Sequence, residues 1–97
     1  MNKFLQLLSL CVKAGKAVSG EFLVEEAIKN KDAKLVIIAE DASDNTKKHF
    51  TDMCTYRDIP VIIKATKAEL GKYTGKEFRA NAAILDEGFA KKLKEVS

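Results

Sequence analysis

The segment Ala14-Gly15-Lys16-Ala17-Val18-Ser19-Gly20-Glu21 gathers a lysine, two glycines and a carboxylate where one helical pattern ends and the next begins. A helix start exposes unpaired backbone N–H groups and a partial positive charge, which suits a phosphate. Glycines let a bulky ligand approach the backbone closely. Glu21 would repel phosphate, so it fits such a site only as an acceptor for a donor edge, such as that of guanine. First-turn acid chemistry in a solvated loop accounts for the same residues, and the spacing alone leaves both readings open.

Catalytic chemistry is hard to assemble. The one histidine, His49, follows two lysines inside a helical pattern and reads as structural. No serine, cysteine or lysine has a visible base partner, and one histidine cannot build a metal cluster. Gly15-Lys16 is not a Walker lysine, because Leu10 stands at the required earlier glycine and Ala17 at the Ser/Thr position. Glu40-Asp41 follows an apolar run, where open α/β sheets bind ligands and where phospho-accepting aspartates can sit. The same pair also reads as the cap of the next helix. The expectation is a chain with no catalytic residue, no metal and no cofactor.

Helices and strands alternate around these residues. Phe4, Leu5, Leu8, Cys11 and Val12 share a helical face, and Gly15 ends that helix. Ser19 or Gly20 caps a second helix whose apolar residues are Phe22, Leu23, Ala27 and Ile28. Leu35-Val36-Ile37-Ile38-Ala39 reads as a strand buried on both faces. Ser43 or Asp44 caps a third helix with Phe50, Met53 and Cys54, and Pro60 opens a second buried strand, Val61-Ile62-Ile63. Thr66-x-x-Glu69 is a capping box for a short helix with Leu70 and Tyr73, limited by Gly71 and Gly75. Residues 80–85 form a third strand, and Asp86 caps a last helix with Phe89, Leu93 and Val96. Ala17–Ser19 could add a short fourth strand. This order predicts an α/β fold, a three-layer α/β/α sandwich with a small mixed sheet of three to four strands between helices.

The 97 residues suit a single domain, 1–97, with one core. A chain 46% hydrophobic and 32% charged has an ordinary globular balance, and no apolar run approaches the roughly 20 residues that cross a bilayer. The segment Met1–Val12 superficially resembles a secretion signal, but Gln6 and Ser9 interrupt it at helical spacing and it reads as a core helix. Cys11 and Cys54 fit reduced, buried thiols of a cytoplasmic protein. A net charge of +3 is too small to diagnose a polyanion partner, yet its distribution is uneven. Lys3, Lys13 and Lys16 precede any acid; Glu25, Glu26, Glu40, Asp41 and Asp44 follow; then lysines return at 47, 48, 64, 67, 72 and 76. Such segregation can make one basic face, and it is equally the look of solvated helix surfaces.

The run Lys13-Ala14-Gly15-Lys16-Ala17-Val18-Ser19-Gly20-Glu21, with Ala33-Lys34-Leu35-Val36 and Leu70-Gly71-Lys72, resembles the YlxQ-type bacterial branch of the kink-turn-binding large-subunit ribosomal protein (seven-A-like) family. The resemblance extends over essentially the whole chain. It implies an α/β/α fold and RNA binding without catalysis. It also implies contacts from the start of the second helix, the turn after the first long strand and the loop before the last strand. Glu21 then matches the glutamate that accepts hydrogen bonds from guanine in a sheared G·A pair. Gly20 stands where many members have asparagine, and Val24 where many have lysine.

By the same resemblance Val18 matches a backbone-approach position, Ser43 and Lys47 lie in the turn and helix start, and Lys67 matches a phosphate contact. Phe78-Arg79-Ala80 matches the loop that packs on flipped-out nucleotides. With Lys16 and Gly20 these complete the expected RNA surface. The partner is then a structured RNA with an internal loop or kink-turn, ribosomal or another non-coding RNA, bound by a monomer in the cytoplasm. Two other readings stay open. One is a small-ligand or phosphorylation-dependent α/β switch using Glu40-Asp41. The other is a trans-acting substrate-binding partner of an RNA-modifying enzyme.

Overall fold

The computed structural model describes residues 2–97. Along the chain run α1 (Lys3–Lys13), β1 (Ala17–Ser19), α2 (Glu21–Lys29), β2 (Leu35–Ile38), α3 (Asp44–Tyr56), β3 (Val61–Ile63), α4 (Lys67–Tyr73), β4 (Asn81–Ile84) and α5 (Glu87–Val96). The strand order is β1-β4-β2-β3. β4 runs antiparallel to both β1 and β2, while β3 runs parallel to β2. α1 packs with α4 and α5, and α2 packs with α3, so the sheet has a helical layer on each face. The expected α/β/α sandwich is present, and Ala17–Ser19 supplies its fourth strand.

Local chemistry accounts for most boundaries. Asn2, Ser43, Thr66 and Asp86 each accept a hydrogen bond from the backbone of their helix's first turn. Thr66 and Glu69 close both arms of the capping box. Gly20 caps α2 with its backbone alone. β2 and β4 hold the middle of the sheet and are buried throughout, which explains the unbroken apolar run of Leu35–Ile38. The core joins Phe4, Leu8, Ile28, Phe50, Leu70 and Leu93 to this pair of strands.

Three expectations need correction. β3 lies at a sheet edge, with no further strand beside it among the described residues, and Ile63 is exposed rather than buried. Phe22 and Leu23 are exposed, whereas Val24 joins Ala27 and Ile28 in the core. The buried stripe of α2 is therefore rotated by about one residue from the expected one. Gly71 does not stop α4 but sits within it, where a Cβ would overlap the backbone of Glu77 as the following loop crosses the helix. Thr74 caps the helix instead, and Gly75 then takes a positive φ of 79°.

Candidate functional site

Register decides which loops meet. β4 begins at the sheet end where β2 finishes, since Asn81 pairs with Ile38, and β1 finishes there too, since Ser19 pairs with Ala82. The segment after β1, the turn after β2, the turn after β3 and the loop before β4 therefore converge. Backbone bonds join them: Ala39 N–H donates to the Ala80 carbonyl at 2.8 Å and Glu40 N–H to the Ala65 carbonyl at 2.7 Å. Lys67 links two of the loops, donating its N–H to Asp41 Oδ1 at 2.8 Å and accepting from Arg79 N–H at 3.1 Å. Lys67, Arg79 and Ala80 are thus brought together on a fixed frame.

Gly20 and Arg79 face each other across this end. A Cβ at Gly20 would stand 3.5 Å from Arg79 Nε, and Gly20 has a φ of 95° that side chains disfavour. The first intrahelical bond of α2 runs from Val24 N–H to the Gly20 carbonyl at 3.0 Å, so the N–H groups of Glu21, Phe22 and Leu23 have no acceptor within the helix. The Glu21 carboxylate is exposed beside them and forms no bond to another described residue. Arg79 donates from Nη1 to its neighbour's Phe78 carbonyl at 2.9 Å, while its buried Nε has no partner among the described residues. Asn81, fully buried at the start of β4, likewise leaves both amide atoms unpaired, an arrangement that costs stability.

Exposed apolar side chains complete the surface. Phe78 is 63% exposed, Phe22 71% and Leu23 46%, all on segments that flank the Gly20–Arg79 contact. Phe22 and Leu23 are the additions that sequence reasoning missed. An apolar residue on a short helix reads as core, and only the burial of Val24 reveals the true rotation. Val24, where the resemblance has a lysine in many members, is fully buried in this chain.

The other expected residues are placed less uniformly. Ser43 uses its hydroxyl to accept from Thr46 N–H at 3.1 Å, and Lys47 follows half-buried in the first turns of α3 at the same sheet end. Val18 lies in the middle of edge strand β1. Lys16 is elsewhere: its carbonyl accepts from Leu85 N–H, beyond the Ala17–Ile84 pair, so the whole of β1 separates it from Gly20. Lys16 and Gly15 belong to the α1–β1 turn and not to the start of α2, correcting their expected grouping.

The competing chemistry finds little geometry. Asp41 spends a carboxylate oxygen on the first N–H of α4, and no group of three His, Cys, Asp or Glu among the described residues could hold a metal. His49 Nε2 lies 2.7 Å from Glu25 Oε1, tying α3 to α2. Burial pushes the Cys11 thiol up to about 11, with the Asp86 carboxylate adding to the effect. Burial likewise pushes Cys54 up to about 11, partly offset by Arg57. Such thiols are poor nucleophiles. No helix among the described residues is long and apolar enough to cross a membrane.

An acceptor carboxylate at an open helix start, a guanidinium and two exposed aromatic rings are thus gathered at one end of the sheet. The chain is 49% identical over 87 residues to the RNA-binding protein YlxQ of Bacillus subtilis, covering 90% of this chain and 87% of the relative. It is 42% identical over 95 residues to the RNA-binding protein YlxQ of Enterococcus faecium, covering 98% and 91%. A solved structure from Bacillus halodurans, of a protein described as of unknown function, superposes with a TM-score of 0.94 at 35% identity, covering 99% of this chain and 97% of that one. The Giardia lamblia 15.5kD RNA binding protein shares the fold, with a TM-score of 0.79 at 23% identity over 95% of this chain and 82% of that one. The model of the ribosomal protein L7Ae/L30e/S12e/Gadd45 family matches residues 2–94, and the chain belongs to that family.

Proposed function

We propose that this chain is a non-catalytic, cytoplasmic RNA-binding protein that acts as a monomer on structured RNA containing an internal loop or kink-turn. The observation that carries the reading is the convergence of Glu21, the open start of α2, Arg79 and the exposed Phe22 and Phe78 at one end of the sheet. In this reading Glu21 accepts from a guanine edge, while the N–H groups of α2 and the Arg79 guanidinium take the adjoining phosphates. Phe78 and Phe22 offer planes for unpaired bases, and the Gly20–Arg79 contact sets the width of the approach. Lys47 and Lys67 add attraction without sequence information. The RNA-binding names of the relatives support the class of ligand. The switch reading finds no comparable support, because Asp41 is committed to the backbone of Lys67.

A gel shift with internally looped RNAs, with and without divalent cation, tests the proposal. Binding should be present at low salt and weaken by orders of magnitude as salt rises. Failure to bind any internally looped RNA at low salt would overturn it.

A further inference from the structure

We propose that the opposite end of the molecule is a second RNA surface, a basic cleft that holds a single-stranded phosphodiester segment while the loop end reads its own target; the choice of RNA as ligand rests on the reading above. The cleft has a volume of about 520 Å³ and includes the residues that lead into β2 and β3, so the length of the sheet lies between it and Gly20. Lys31, Lys34, Arg57, Lys91 and Lys94 line it against only two carboxylates. The surplus of three positive charges equals the whole chain's net +3, so the rest of the molecule sums to neutral. None of these five cations has a carboxylate oxygen within 4.0 Å among the described residues.

Two details point to a nucleic acid strand. Tyr56 is 85% exposed, and the Arg57 guanidinium lies 5.4 Å from its ring centroid. Arg57 also donates Nη1 to the Met53 carbonyl at 3.2 Å, which holds it between the cleft and one face of this ring. The exposed ring at the cleft's edge, next to cations without carboxylate partners, is the arrangement that stacks a base while neutralising its phosphate. Lys31 also occupies a position where glycine is the ordinary residue. It follows the α2 cap with a φ of 61°, and the bonds Lys31 N–H to Ile28 carbonyl and Asp32 N–H to Ala27 carbonyl close a Schellman turn. A lysine held in a left-handed conformation is disfavoured for the fold, yet it places a cation on the cleft rim.

The test uses a 12-nucleotide oligouridylate, which presents no guanine edge to Glu21, in an amide NMR titration at low salt. The amides of Lys31, Lys34, Asp58 and Lys91 should shift, while those of residues 20–23 and 78–80 stay in place. The combined variant Lys31→Gly/Lys91→Gln/Lys94→Gln should bind this strand at least about tenfold more weakly and flatten the logarithmic salt dependence by about 2. Its melting temperature should be equal or higher, since glycine suits position 31. Shifts confined to the loop end, absent shifts or unchanged affinity of the variant would overturn the proposal. So would equal shifts from inorganic phosphate alone, marking an anion pocket only, or equal binding of a polyglutamate peptide. A looped RNA separates the two surfaces: the variant should keep the sensitivity of that RNA to Glu21→Gln, which fails only if the loop-end reading fails.

Discussion

Glu21 distinguishes base recognition from charge attraction, because the two predict opposite signs for its neutralisation. Glu21→Gln removes a negative charge from an exposed position at a positive helix end. If it accepts from guanine, binding of a looped RNA should nevertheless weaken by about 1–3 kcal/mol, read in a fluorescence titration. Tighter binding would make Glu21 an ordinary first-turn acid. Arg79→Ala should weaken binding and lower the salt dependence by about one unit or less, with little loss of thermal stability, since Nε has no protein partner and the one bond lost is the exposed Nη1 contact with the adjacent Phe78 carbonyl. Asn81→Leu should raise stability in urea melts by about 1 kcal/mol, because it removes two unpaired buried amide atoms while keeping the branching and the number of side-chain heavy atoms. Ala80 is a less clean probe, as it packs against the core. Glu21, Phe78 and Arg79 were named in sequence through the resemblance, and the structure places all three at the loop end of the sheet. Phe22 and Leu23 were not legible as surface residues, because an apolar residue on a nine-residue helix is ambiguous until the helix is rotated against its sheet. Lys16 misled for a related reason: closeness in sequence to Gly20 ignores the reach of the intervening strand.

The helices and strands owe their boundaries to side chains that name their own positions. Ser43, Thr66 and Asp86 cap, and Leu35–Ile38 can only be central, so these elements follow from sequence. Strand order does not, because nothing local tells β4 to insert between β1 and β2. The exposure of β3 follows from that order and was equally hidden. Gly71 shows the same limit. In sequence it reads as a helix stop, whereas in the fold it clears space for Glu77 and so aims the loop carrying Phe78 and Arg79. Gly71→Ala should therefore destabilise the protein by roughly 1–3 kcal/mol despite its better helix propensity, and weaken looped RNA beyond any loss of folded protein. Thermal melts alongside RNA titration check this. A stabilised variant with normal binding would make Gly71 an incidental helix residue.

Taken whole, the protein is polarised. One end carries four converging loops with exposed rings and the free Glu21 carboxylate, while the charge surplus lies at the other end. Net charge alone hides this, since +3 is small for a polyanion binder. Because the residues outside the cleft sum to neutral, the loop end on the proposed reading discriminates by shape and base edges more than by attraction. Salt should then lower affinity for every RNA while leaving the preference for a loop largely intact. The decisive measurement is the affinity ratio between an RNA with tandem G·A pairs in an internal loop and the same RNA closed by Watson–Crick pairs, taken at low and high salt. The account predicts a ratio well above one that survives as both affinities fall. Equal affinity for the two RNAs, or a preference that vanishes with added salt, would contradict it.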